Sequence, residues 1–229
     1  MNISQRHPWS LTEEEAITVQ EKLKSEVITE DKFNTPVKYV AGVDMAVEED
    51  GKICRAGVAV LSFPDLEVKE TSIAYSPMDF PYIPGLLSFR EVPAVLEALK
   101  KLTIAPDIIL CDGQGIAHPR RFGFACHLGI LVDMPTIGVA KSWFIGEYGE
   151  LGTKRGSWEP LVDKGEIVGA LLRSQSNVKP IYVSIGHRIS LPTAIDYVLK
   201  CAPKYRLPET TRLSDRLSRG NLSTNYDQF

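Results

Sequence analysis

A short apolar run, Ile108-Ile109-Leu110-Cys111, ends in Asp112-Gly113-Gln114-Gly115, followed at once by Ile116-Ala117-His118-Pro119-Arg120-Arg121. The apolar run reads as a buried strand, so an acid is delivered at its carboxyl end. Two glycines follow, where the backbone must bend or let something approach closely. Carboxylate, bare backbone and cations in one loop make poor core and a good place for a metal and a phosphate. This loop restricts the chain to folds in which a central strand opens onto a ligand site.

The rest of the pattern fits a mixed α/β sheet with helices packed on it. Leu11 to Ile28 has helical spacing, with Glu13 to Glu15 in its first turn. Tyr39 to Val47, Ile53 to Phe63 and Leu66 to Tyr75 read as a three-stranded meander, turned by Asp50-Gly51 and Pro64-Asp65. Ser88 to Leu102 is an amphipathic helix, Asp107 to Cys111 a strand, Phe122 to Val132 a short helix and Pro135 to Lys141 a strand buried on both faces. Ile167 to Leu172 and Ile181 to Ser184 add strands. Pro192 to Cys201 and Glu209 to Arg219 add helices, and a polar, frayed tail is expected from Gly220 to Phe229. No linker divides the 229 residues, so a single domain over 1–229 is expected.

Composition narrows the class. The N-terminal stretch lacks an apolar signal core and no apolar run would span a bilayer, so a cytoplasmic protein without membrane contact is expected. The 4 cysteines, Cys54, Cys111, Cys126 and Cys201, form no CxxC pair and read as reduced structural thiols rather than a zinc site. A net charge of -3 gives no global support for nucleic-acid binding. Local cations do: Arg120 and Arg121 follow the glycine loop, and Lys204, Arg206, Arg212, Arg216 and Arg219 gather near the C-terminus.

Each candidate side chain has a functional and a structural reading. Asp44 sits inside the first strand between apolar neighbours, which is costly unless it is hydrogen-bonded, paired, exposed or bound to a cation. The first and fourth strands are plausible neighbours, and Asp44 and Asp112 on adjacent strands would repel unless a hard cation sits between them. Ser88-Phe89-Arg90-Glu91 matches a capping box, so Glu91 serves either the amide of Ser88 or a metal. Asp215 is a further metal candidate or a partner of Arg216 or Arg212. His118 is a general acid or base, a phosphate contact or a surface histidine. Lys141 stands where ligands collect in open sheets, or pairs with an acid. His127 and His187 read as structural.

Taken together, five segments resemble the endonuclease V family, which has a ribonuclease H-like fold. They are Gly42-Val43-Asp44, Pro81 through Glu91, Asp112-Gly113-Gln114-Gly115 through Arg120, Gly138 through Ser142, and Thr211 through Asp215. The resemblance implies a ribonuclease H-like mixed sheet with helices on both faces. It implies Mg2+ (Mn2+ substituting) on Asp44, Glu91 and Asp112, with Asp215 where some members carry histidine. It implies cleavage of the second phosphodiester bond 3′ to deoxyinosine in DNA, with single-stranded DNA and inosine RNA as further substrates. Within that picture His118 and Lys141 are catalytic candidates, and a monomer is expected. Tyr82, stiffened by Ile83 and Pro84, would be a wedge into the duplex, or else an ordinary packed aromatic. The backbone of Gly85, Leu87, Gly113 and Gly138 would line the base pocket, with His118, Arg120 and Lys141 toward DNA. Two rivals remain at this level: a sugar kinase-like phosphotransferase, of which only one phosphate-binding half is found, and a non-catalytic nucleic-acid binder.

Overall fold

Eight strands form one sheet in the computed structural model, which describes residues 3–48 and 51–221. The strands are β1 (Tyr39–Val47), β2 (Ile53–Ser62), β3 (Val68–Pro77), β4 (Ile108–Cys111), β5 (Thr136–Ala140), β6 (Trp158–Asp163), β7 (Glu166–Leu172) and β8 (Ile181–His187). Their order across the sheet is β3-β2-β1-β4-β5-β8-β7-β6. The helices are α1 (Glu13–Leu23), α2 (Leu87–Lys100), α3 (Phe124–Val132), α4 (Leu191–Cys201) and α5 (Glu209–Ser218).

The meander forms as its alternation demands, and β1 then pairs in parallel with β4, which pairs in parallel with β5. These three central strands are short or apolar and buried on both faces. Side-chain parity sorts the two layers. Val40, Ile108, Leu110, Ile137 and Val139 pack with α4 and α5. Ala41, Val43, Ile109 and Cys111 pack with α2 and α3 on the opposite face. The expected architecture, a mixed sheet with helices on both faces, is therefore the observed one.

Several local expectations shift. The helix expected over Leu11 to Ile28 is α1 plus one 3-10 turn, Lys24–Glu26, and a capping box of Thr12 and Glu15 starts it. The strand expected from Ile181 runs on to His187. Leu66 lies in the turn before β3, with φ of 59°. The strand β6 has no counterpart in the sequence reading. Its segment, Trp158-Glu159-Pro160-Leu161-Val162-Asp163, carries two acids and a proline, a composition tolerated at a sheet edge, and β6 is an edge strand. Asp50 and most of the C-terminal tail lie outside the described residues, while Gly51 takes the positive φ of 71° that the expected turn needs and its amide donates to the Glu48 carbonyl at 2.9 Å. All four cysteines are buried free thiols.

The helix α5 settles unusually close to the sheet. Gly42 and Gly57 face it, and a Cβ on Gly42 would stand 2.1 Å from the Thr210 carbonyl oxygen. A Cβ on Gly57 would stand 2.6 Å from Leu217 Cβ and 2.7 Å from the Ser214 carbonyl oxygen. Neither neighbour is a flexible side-chain tip, so only glycine fits. Gly42→Ala is expected to push α5 away and lower stability by about 1–3 kcal/mol or more, as overpacked cores do. Urea midpoints of the wild type and variant measure this, and equal midpoints would contradict the close-packing account.

Candidate active site

Strand geometry assembles the acidic group. Val43 pairs with Cys111 in the parallel β1–β4 ladder, and the Asp112 amide continues it by donating to the Val43 carbonyl at 3.2 Å. Asp44 and Asp112 therefore stand level, on the face covered by α5. Lys141 follows β5 with the same parity as Ile137 and Val139, so it faces the same way. Three parallel strands thus present their functional groups at their carboxyl ends, where open sheets bind ligands. The close seat of α5 brings Asp215 to the same point. Carboxylate oxygens of Asp44, Asp112 and Asp215 lie within 4.8 Å of one another.

These acids are electrostatically stressed. Burial, then the charge of Asp112, pushes the Asp44 carboxyl up to about 7. Burial also raises Asp112, against the opposing effect of Lys141, whose ammonium pairs with it. Glu91, half-buried on α2, is pushed up to about 8 by burial and then by Asp44 and Asp112. Burial alone would raise Asp215 too. A hydrogen bond from Arg219 Nε at 3.0 Å and the charge of Lys141, whose Nζ is 3.7 Å away, hold it below the usual carboxylate range. The Ser218 hydroxyl reaches Asp44 at 3.4 Å.

The capping-box reading of Glu91 is not observed. The helix α2 begins at Leu87 with no side-chain cap, so Ser88 is already inside it. The Ser88 hydroxyl instead meets His127 Nδ1 at 2.9 Å, and Glu91 faces the acids. Asp215 pairs with Arg219 and Lys141, while Arg212 pairs with Glu209.

A cleft of about 430 Å³ adjoins the acids. Asp44, Glu91, Asp112 and Lys141 line one part of it, and Tyr82, Ile83, Pro84, Gly85, Leu87, Gly113 and His118 also line it. Tyr82 is 68% exposed, which removes the packed-aromatic alternative. Gly138 does not line the cleft. It lies beneath the glycine loop, where a Cβ would meet the Gly115 nitrogen at 2.5 Å.

His118 is buried rather than superficial. Its Nδ1 accepts from the Arg120 amide at 3.2 Å, so Nε2 carries the proton and donates to the Gly85 carbonyl at 3.0 Å. Burial and the neighbouring Arg120 lower its pKa to about 4, which leaves it neutral. Arg120 Nη2 and Gln20 Nε2 also donate to the Gly85 carbonyl, each at 2.9 Å. One carbonyl of the Tyr82–Gly85 loop is thereby held from three sides. Arg121 is spent on Asp163 and Glu166 of the β6–β7 hairpin, and Arg206 donates to the Lys141 carbonyl at 2.9 Å. Much of the sequence's basic clustering is structural.

Sequence reasoning missed Gln20, Ser88, Phe124 and Trp143, all of which line the cleft. Gln20 and Ser88 sit in helical patterns that offer no hint of it. Trp143, 57% exposed two residues after Lys141, could have been noticed as an aromatic out of place.

Relatives decide the family. A model of the family Endonuclease V matches residues 21–216. The endonuclease V of Trichormus variabilis is 68% identical over 218 residues, covering 95% of this chain and 99% of the relative. The chain belongs to the endonuclease V family. It is therefore a nuclease that acts on phosphodiester bonds, and the kinase-like and non-catalytic rivals fall. The crystal structure of Streptomyces avermitilis endonuclease V is 45% identical, with a TM-score of 0.89 over 96% of this chain and 97% of that one. Ciona intestinalis endonuclease V, solved with a 24mer DNA containing an inosine followed by a ribo-adenosine, is 31% identical, with a TM-score of 0.81 over 91% and 96%.

The donor set fits the metal dependence of an endonuclease V. Three convergent carboxylates are hard oxygen donors, and the raised pKa values of Asp44 and Asp112 signal a site that gains from a cation. Because the folded pKa of Asp44 is raised, its contribution to the stability of the metal-free protein is favourable at low pH. It is lost as pH climbs from the ordinary carboxylate value toward about 7. Protons and a cation compete for the same oxygens. The rise in Tm on adding Mg2+ should therefore grow between about pH 6 and about pH 8, and Asp44→Asn should flatten that growth. Differential scanning fluorimetry reads it, and a pH-independent shift would contradict the assignment.

Proposed function

We propose that this chain is a DNA repair endonuclease that recognises deoxyinosine. It hydrolyses the second phosphodiester bond on the 3′ side, leaving a 3′-hydroxyl and a 5′-phosphate. The observation that carries this reading is the convergence of Asp44, Asp112 and Asp215 beside a base-sized cleft. The inosine-containing DNA bound by the Ciona intestinalis relative supports the choice of lesion.

Asp44, Asp112 and Asp215, with Glu91 beside them, would hold Mg2+ or Mn2+, which when bound supplies charge neutralisation and a water of lowered pKa. The chain's own residues do the rest. Lys141, held at the acids by its pair with Asp112 and by Arg206 on its carbonyl, offers an ammonium to negative charge developing on the phosphate. Tyr82, exposed on a loop stiffened by Ile83 and Pro84, enters the duplex where the base has left. Gly85, Leu87 and Gly113 leave bare backbone for the extruded base, and Gly138 keeps the glycine loop low. His118 and Arg120, with Gln20, position Gly85 through its carbonyl.

End-labelled oligonucleotides with one deoxyinosine, in DNA and RNA backbones and with or without Mg2+, test the reading. The expected product is cut one nucleotide beyond the lesion, and only with the ion. Asp112→Asn should abolish cutting in a protein that still melts cooperatively; retained cutting would remove Asp112 from the mechanism. Tyr82→Ala should weaken binding to deoxyinosine DNA while sparing the Mg2+-induced rise in Tm, and equal damage to both would remove the wedge.

A further inference from the structure

One wall of the cleft is backed by a buried chain of hydrogen bonds that the mechanism above does not use. His7 Nδ1 lies 2.7 Å from the Pro8 carbonyl, His7 Nε2 lies 2.7 Å from His127 Nε2, and His127 Nδ1 lies 2.9 Å from Ser88 Oγ. The direction of this chain is fixed by its far end. A carbonyl only accepts, so His7 Nδ1 carries a proton. A neutral His7 then has a bare Nε2, which must receive a proton from His127 Nε2. A neutral His127 in turn has a bare Nδ1, which must receive the Ser88 hydroxyl proton.

Neutrality follows from the surroundings. His127 is fully buried, with Phe89, Phe122 and Trp9 around it at ring separations of 4.8, 5.4 and 5.6 Å. Burial lowers the pKa of both histidines. Ser88 itself lines the cleft beside Gly85 and Leu87. With its proton committed inward, its oxygen has only lone pairs to offer a ligand.

We infer that Ser88, locked by His127 and His7, is a specificity-determining acceptor that selects a base bearing an N–H at its ring edge. This rests on the deoxyinosine reading and deepens it. The neighbouring first turn of α2 has no side-chain cap; the Phe89 amide donates to the Leu86 carbonyl at 3.1 Å, which leaves the Leu87 and Ser88 amides as the donors there. A donor beside an acceptor matches a lactam, whose C6 oxygen accepts and whose N1–H donates. Adenine presents the reverse, an amino donor at C6 and a bare N1. The relay therefore separates hypoxanthine from its parent adenine: it denies Ser88 the rotation that would let the hydroxyl donate to the bare N1 of adenine.

Equilibrium binding by fluorescence anisotropy, with Mg2+ withheld, separates this role from catalysis and from folding. Two probes suffice: DNA with one deoxyinosine, and DNA with one deoxynebularine, a purine with a bare N1 and no C6 substituent. Ser88→Ala should weaken deoxyinosine binding about threefold to tenfold, the worth of one ordinary hydrogen bond, and leave deoxynebularine binding unchanged. His127→Phe should free the hydroxyl to rotate and raise deoxynebularine affinity. His7→Phe, which frees the tautomer of His127, should act in the same direction and serves if His127→Phe does not fold. An unchanged ratio between the probes in Ser88→Ala, including equal loss on both, would overturn the inference. If the wild type binds deoxyinosine DNA no better than undamaged DNA, the reading of the cleft fails and Ser88 falls with it. Clear wild-type preference with an unchanged Ser88→Ala ratio overturns the Ser88 role alone.

Discussion

Two carboxylates standing level on hydrogen-bonded parallel strands, half-removed from water, oppose each other's ionisation. The β1–β4 register leaves no freedom in this: pairing Val43 with Cys111 sets Asp44 beside Asp112. What surrounds them reads as a response to that opposition. Lys141 pairs with one acid, the Asp44 carboxyl is raised to about 7, and Arg219 holds the third acid ionised at the margin. Such a group stays intact because the sheet is buried on both faces and cannot slip register to relieve it. The cost in stability is the counterpart of affinity for a cation.

The third carboxylate depends on missing side chains. Asp215 belongs to a helix whose distance from the sheet is set at Gly42 and Gly57, where no Cβ fits. Backbone thinness in β1 and β2 and acidity in α5 are therefore one design, although they lie far apart in the chain. The loop from Tyr82 to Gly85 is built on a similar economy. Three donors from α1 and the glycine loop meet at a single carbonyl, so the exposed Tyr82 ring stands on a fixed base.

How far the chain could be read without coordinates follows from which signals are local. Apolar runs bounded by turns announced the meander, the two central parallel strands and the helices. The acids stood out because charge inside a strand is costly. The edge strand β6 went unseen because its proline and acids look like a loop, and only pairing with β7 makes it a strand. The string Ser88 to Glu91 misled because a capping box depends on where the helix begins. The structure starts α2 one residue early, and both side chains gain other duties. The basic residues near Arg120 and Arg206 looked like a phosphate track, yet most of their donors are consumed by carbonyls and acids within the fold. Long-range contacts of this kind leave no periodic trace.

The far end of the sheet carries its own consequence. Strand β6 contains Pro160, which has no amide hydrogen, and Glu147 closes both backbone bonds at Val162, at 2.7 and 2.8 Å. Arg121 then ties the β6–β7 turn to the glycine loop through Asp163 and Glu166. A border sealed in this way offers a poor template for a strand from another molecule. This end of the sheet thus resists zipping onto a strand of another copy.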